Sequence, residues 1–241
     1  MSSRKDRIRI FEETLHNCER SESLMQCIDN SRRNTRIWMS APSLDECDKP
    51  RGERCEIAMS HGTMLSEIVK WKRENGEYRI GIWNVASPFH VGGSVIRGGE
   101  GVEELLCRCT TLYPCMDTED IRQQFYDVNR LSEDDEYSDS YIYIPDVVCV
   151  REGLEENWLE DEKQYTFDVI SCTIPEIWKD DIVESRIEAM LCVAVKHKMD
   201  VLVLGVSEVQ DEWMRLYRKA LRKYENFLRA VCFVKNDLFP L

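Results

Sequence analysis

Several features that would assign a chain to a common functional class are missing. The 241 residues contain no Cys-x-x-Cys pair and only four histidines, His16, His61, His90 and His197. The closest cysteine spacing, Cys107-x-Cys109, has no companion pair of metal-ligand type, so no metal site is expected. The cysteines number eleven, roughly half the ~8–10% density of a disulfide scaffold. Many sit in apolar runs (Cys149, Cys172, Cys192, Cys232), which reads as a reduced, intracellular chain, cytoplasmic or nuclear. No apolar run approaches the ~20 residues of a membrane helix. The opening Met1-Ser-Ser-Arg-Lys-Asp-Arg7 leads into no apolar core of a signal peptide. Positive charge is also short: 32 Lys+Arg against 45 Asp+Glu leave a net charge of −13. General nucleic-acid binding needs a basic face, and Arg4-Lys-Asp-Arg7 and Arg32-Arg33 are too sparse to supply one. The acidic run Glu133–Glu136 lacks the pattern of a calcium loop and reads as solvated.

What is present is an ordinary globular composition, 43% hydrophobic and 32% charged. Apolar residues at Ile8, Phe11, Leu15, Cys18 and Met25 predict a helix over Arg4–Cys27. A polar, irregular connection from Asp29 to Glu53 follows, with a short strand near Trp38. Residues 1–54 form an N-terminal helical extension of the same unit, and 55–241 the main domain. In that domain the pattern alternates. Strands are expected at Cys55–Met59, Arg79–Val85, Tyr141–Ile144, Val147–Val150, Thr166–Cys172, Val201–Val206 and Ala230–Val234. Helices are expected at Met64–Trp71, Val102–Cys109, Glu119–Val128 (a polar one), Asp180–Lys198 and Val209–Tyr224. Such alternation argues for an α/β fold, a central mixed sheet with helices on both faces.

One loop carries most of the chemical information. Five of the eleven glycines, Gly92, Gly93, Gly98, Gly99 and Gly101, fall within ten residues, where even spreading would place fewer than one. The loop follows an apolar strand and precedes a helix, the context in which backbone amides cradle phosphate or ribose hydroxyls. Neither the Walker nor the Rossmann spacing is present. The helix opens with Val102-Glu103-Glu104. Paired acids there either complement the helix dipole or serve glycosidic hydrolysis, one protonating the leaving oxygen while the other holds a ribose hydroxyl. The helix N-terminus favours the anion, whereas enclosure and the paired charge raise one pKa; the residues alone leave open which wins.

The stretch from Asn84 to Pro114, Asn-Val-Ala-Ser-Pro-Phe-His-Val-Gly-Gly-Ser followed by Val-Glu-Glu-Leu-Leu-Cys-Arg-Cys-Thr-Thr-Leu-Tyr-Pro, resembles the signature of microbial-type poly(ADP-ribose) glycohydrolases. The likeness extends to Arg9–Leu15, Tyr141–Val148, Phe167–Cys172 and Asp200–Gly205. It implies a three-layer α/β/α macrodomain-like fold and ADP-ribose or poly(ADP-ribose), including polymer on modified proteins, as ligand. It further implies Glu104 as the catalytic acid, Glu103 as the residue orienting ribose hydroxyls, and no cofactor. Gly92 and Gly93 would line the distal ribose and diphosphate, with Asn84, His90, Ser94, Val102 and Gly205 completing the ligand site.

The departures from that signature are specific. Val102 stands for the family's Gln, Ser94 for the third Gly, Val91 for the Pro and His90 for an Asn. After Gly205 the usual second glycine-rich loop with its aromatic residue is replaced by Val206-Ser-Glu-Val-Gln-Asp-Glu-Trp213. Carboxylates at Glu208, Asp211 or Glu212 oppose a diphosphate by about 1 kcal/mol per pair at 4 Å in water, and more in a partly buried site. Trp213, at helical spacing with Leu216 and Tyr217, reads as core. Two readings follow: a hydrolase of poly(ADP-ribose) or a related ADP-ribosyl substrate, or a non-catalytic relative binding an ADP-ribosylated protein, a nucleotide or a protein partner. A nucleophilic dyad of Cys107 or Cys109 with His90 ranks below both.

Overall fold

The computed structural model describes residues 3–45, 48–132, 136–151, 157–206 and 211–235. The expected leading helix is two helices. α1 (Arg4–Arg20) starts from a capping box between Ser3 and Asp6, and α2 (Glu22–Asn34) follows directly. Ser21 ends the first and caps the second, its Oγ accepting from the Leu24 N–H. A serine with its own local acceptor competes with helix continuation there, although apolar spacing alone runs on to Cys27. α2 also takes in residues 29–34, expected to be irregular.

Seven strands form one sheet: β1 (Arg36–Trp38), β2 (Glu56–His61), β3 (Ile80–Val85), β4 (Tyr141–Cys149), β5 (Tyr165–Cys172), β6 (Val201–Val206) and β7 (Ala230–Lys235), in the order β1-β4-β5-β3-β6-β7-β2. β1–β4 and β4–β5 are antiparallel and the remaining pairs parallel, so the sheet is mixed as expected. The two short strands expected on either side of Pro145 are one strand. Its register shifts between Ile144 and Val147, and Asp146 sits at φ 54°. A bulge lets the strand continue past a residue that has no N–H to donate.

The pleat assigns the layers. Trp83 packs edge-on against Trp213 and Tyr217 of α9 (Asp211–Tyr224), which in turn lies on α8 (Asp180–Lys196). One residue on, Asn84 points to the opposite face and meets α4 (Val102–Cys109). On that same face Cys232 meets Glu67 of α3 (Met64–Glu74). β3 and β6, the central parallel strands, are buried on both faces apart from half-buried Val85, as their near-continuous apolar sequences require. Phe11, Cys18, Leu24 and Ile28 of α1 and α2 belong to the same core as the sheet.

After α4 come α5 (Leu112–Met116), α6 (Glu119–Ile121), a six-residue π-helical segment (Arg122–Asp127) and α7 (Val128–Arg130). The region expected as a polar helix thus buries Ile121, Phe125 and Tyr126. Described parts of the segment from Asp29 to Cys55 run from one sheet edge to the other. Lys196 binds Asp45 and Asp48, Arg51 pairs with Asp200 at 2.8 Å, and the Cys55 N–H reaches the Glu225 carbonyl. Asp200 immediately precedes β6, so this crossing is at the end of the parallel strands where they begin. Among the described residues the ten cysteines are free thiols, and no helix is long and apolar enough to cross a membrane.

Candidate active site

The opposite end of the parallel strands gathers the acids. Asn84 near the end of β3 lies in register with Ser171 of β5, and its Nδ2 donates to the Ser171 Oγ at 3.1 Å and to Glu103 Oε1 at 3.3 Å. The Ser87 N–H donates to Glu103 Oε2 at 2.9 Å. Glu104, the next residue in the first turn of α4, is half-buried. Its Oε1 accepts from both the N–H and the Oγ of Ser94, at 2.8 and 2.7 Å.

Neighbours in sequence, the two acids differ in environment. Glu103 is 5% exposed, and burial pushes its carboxyl up to about 8. The Ser87 N–H opposes that rise, the Glu104 charge adds to it, and the Asn84 amide opposes it weakly. The question left open by the sequence is therefore decided by desolvation, and it is decided at Glu103.

The glycine loop is built around these carboxyls. Gly92 and Gly93 have φ of +64° and +61°. A Cβ on Gly93 would stand 2.7 Å from Glu104 Oε1 and 2.9 Å from Glu103 Oε2; one on Gly92 would strike Tyr113 and Cys107. The loop differs from an open cradle of free amides. The N–H groups of Gly93, Val95, Arg97, Gly98 and Gly99 bond to carbonyls inside it, and that of Ser94 goes to Glu104. A short 3₁₀ turn, Val95–Arg97, spends those donors locally.

The carbonyls that leave the loop meet three arginines. Arg4 Nε donates to the Arg97 carbonyl (2.8 Å), Arg7 Nε to that of Gly98 (2.8 Å) and buried Arg108 Nη1 to that of Gly99 (2.6 Å). Arg7 also pairs with Glu100 at 2.6 Å. These residues were not legible as site residues: Arg4 and Arg7 read as a sparse basic stretch. The N-terminal helix is thereby fastened to the loop. Behind it, the fully buried Thr14 Oγ1 donates to the Arg108 carbonyl and accepts from Arg151 Nε.

The other expected site residues divide. His90 is exposed, with its N–H on Ser87 Oγ and its carbonyl accepting from Gly93, so it contributes backbone to the turn. Val102 is buried at the start of α4, and Gly205 is buried near the end of β6. Residues 207–210, with Glu208, lie outside the described residues, as do the Asp211 side chain and positions 133–135 of the acidic run. Glu212 is exposed. Trp213 is fully buried between Trp83 and Trp178, on the face away from Asn84, and so is core. Cys107 is fully buried, and burial together with Glu103 and Glu104 pushes its thiol well up, which removes it as a nucleophile. Among the described residues no cluster of His, Cys, Asp and Glu has the arrangement of a metal site.

The model of the microbial-type PARG catalytic domain matches residues 5–152, from α1 to just beyond β4 and including Glu103 and Glu104. The chain belongs to the microbial-type PARG catalytic-domain family. Solved structures of poly(ADP-ribose) glycohydrolase (PARG) share its macrodomain-like fold. The Thermomonospora curvata enzyme is 21% identical, with 95% of this chain and 93% of that one covered and a TM-score of 0.78. The same enzyme bound to the inhibitor ADP-HPD gives 21%, 96%, 93% and 0.77. The Deinococcus radiodurans PARG, solved in complex with ADP-ribose, is 22% identical over 87% of this chain and 90% of that one, with a TM-score of 0.74. No curated protein matches. The likeness to PARG structures spans nearly the whole fold, whereas the family model stops before β5.

Proposed function

We propose that this chain hydrolyses the ribose–ribose O-glycosidic bond of poly(ADP-ribose) or of a related ADP-ribosyl substrate, with Glu104 as general acid. Family membership supports the reading, and one observation carries it. Two adjacent carboxyls at the start of α4 are packed against a preformed glycine loop, one buried and one half-buried. In the reaction Glu104 gives its proton to the leaving ribose oxygen as the anomeric C–O bond breaks. Water adds to the oxocarbenium-like carbon, and its proton returns to Glu104. Glu103, its carboxyl pushed up to about 8 by burial, donates to a ribose hydroxyl oxygen. Gly92, Gly93 and Ser94 line the distal ribose and diphosphate, with Asn84 and Gly205 at the strand ends beneath.

Protonation by a carboxyl group suffices for this acetal chemistry. The deciding experiment incubates the protein with labelled poly(ADP-ribose) and follows free ADP-ribose over time, with Glu104→Gln as control. Release by the wild type alone is expected. No release at high enzyme concentration would overturn the reading and return the chain to the non-catalytic alternative.

A further inference from the structure

A cavity of about 400 Å³ opens where the end of α2 and the start of β1 face α5 and α6. Three arginines line it, Arg32, Arg33 and Arg36. In a chain with 45 Asp+Glu against 32 Lys+Arg, none of the three lies within ion-pair distance of a carboxylate among the described residues. Two guanidiniums are aimed by backbone carbonyls instead. Arg32 Nε and Nη2 both donate to the Pro114 carbonyl, at 3.0 and 2.7 Å, and Arg36 Nη1 donates to those of Thr35 and Arg33, at 2.9 and 3.3 Å. The Arg33 guanidinium is exposed and has no partner among the described residues. Basic residues in a last helical turn complement the helix dipole, which would account for Arg32 and Arg33. It does not account for Arg36, which lies beyond α2 in β1. The cavity is also apart from the acids: Tyr113 of α5 packs on Gly92, whereas Cys115, about 200° further round the helix, lines the cavity.

We propose that this cavity is a second ligand site, one that takes the diphosphate of a nucleotide on Arg32, Arg33 and Arg36. A guanidinium presents its N–H groups in a fork that matches phosphate oxygens, and three of them gathered without a counter-charge repel one another until an anion joins them. Small-molecule sites span roughly 300–1,000 Å³, so there is room for more than the phosphates. Beside the arginines the lining turns apolar, with buried Cys115 and Ile121 and half-buried Ile37, a surface suited to a ribose and base. Asp120 is the carboxylate in the lining, and it opposes an anion without pairing with any of the three. The same chemistry has two sources. One is a free nucleoside diphosphate, and the other is an ADP-ribosyl unit of a polymer lying outside the acid site.

The test follows the methyl NMR signals of Ile37 and Ile121, identified by their loss in Ile37→Val and Ile121→Val, as inorganic pyrophosphate is added. Both signals are expected to move and saturate together in the wild type. The doubly substituted Arg33→Glu, Arg36→Glu protein should need about tenfold or more pyrophosphate, because two charge-assisted contacts become repulsive. Asp120→Asn should need about twofold less or better. Arg222→Glu changes a last-turn arginine of α9 outside the cavity and should stay within about twofold of the wild type. Signals that do not move, or that saturate alike in the wild type and the double variant, overturn the proposal. ADP and poly(ADP-ribose) then replace pyrophosphate. Saturation by ADP alone assigns the site to a free nucleotide, and tighter saturation by the polymer assigns it to a unit of the chain. A response to pyrophosphate but to neither of these overturns the nucleotide assignment. The readout needs no turnover, so failure of the glycohydrolase reading and failure of this proposal are seen separately.

Discussion

Ser94 binds Glu104 twice. The backbone N–H and the hydroxyl of the same residue converge on one carboxylate oxygen, Oε1, at 2.8 and 2.7 Å. Ser94 stands where the family signature has its third glycine, so the departure adds a donor to the proposed catalytic acid. A glycine would supply the amide alone. The second hydrogen bond restricts the rotation of Glu104 and leaves Oε2 as the oxygen to face a substrate.

Ser94→Ala removes the hydroxyl and keeps the amide bond. Hydrogen bonds to charged groups contribute roughly 1.5–3 kcal/mol, less at a half-exposed site. A loss of about 1 kcal/mol in stability is expected, read as a lower midpoint in urea unfolding. An unchanged midpoint would mean that the hydroxyl bond adds nothing net over water.

Glu104→Gln preserves size and can still accept from Ser94, so the fold and its unfolding midpoint should be nearly those of the wild type. General acid catalysis contributes about 10²–10⁴-fold, and turnover should fall by that order. Full activity in this variant would remove Glu104 from the role of acid.

The raised carboxyl of Glu103 makes a prediction about stability against pH. The folded protein holds this proton up to about 8, whereas the unfolded chain releases it near the ordinary glutamate value of 4.5. Between those values the native state binds more protons than the unfolded state, so stability falls as pH rises through that window and levels off above it. Glu103→Gln is neutral throughout and should therefore gain on the wild type from pH 5 to pH 8.5. Urea unfolding of both proteins at three pH values measures the difference. A difference independent of pH would show that Glu103 ionises normally in the folded chain.

Gly93→Ala would place a methyl group within 2.7 to 2.9 Å of both carboxyl groups, at a φ of +61° that a side chain disfavours. Strain of this kind costs about 1–3 kcal/mol before any displacement of the acids. Lower thermal stability and loss of turnover are both expected. A variant with wild-type kcat would show that the carboxyls need not be held against the loop.

Much of this protein could be read from its amino-acid order because the determinants are local. The apolar run Val201–Val206 is a strand buried on both faces, Thr63 caps α3 where expected, and the glycine-rich stretch before Glu103 and Glu104 is a tight loop leading into a helix. Periodicity, caps and glycine content act within a few residues, so a linear reading captures them. The break at Ser21 and the single bulged β4 were missed because each depends on a local competition that apolar spacing does not register.

Other properties depend on residues far apart in the chain. Two adjacent glutamates acquire different environments because one faces Asn84 and Ser87 under the loop and the other faces Ser94. Arg4 and Arg7 become loop clamps only when α1 crosses Arg97 and Gly98, more than ninety positions away. Residue order thus determined the elements, the family signature and the identity of the acids. Tertiary packing decided which acid loses its water, because desolvation is set by neighbours in space.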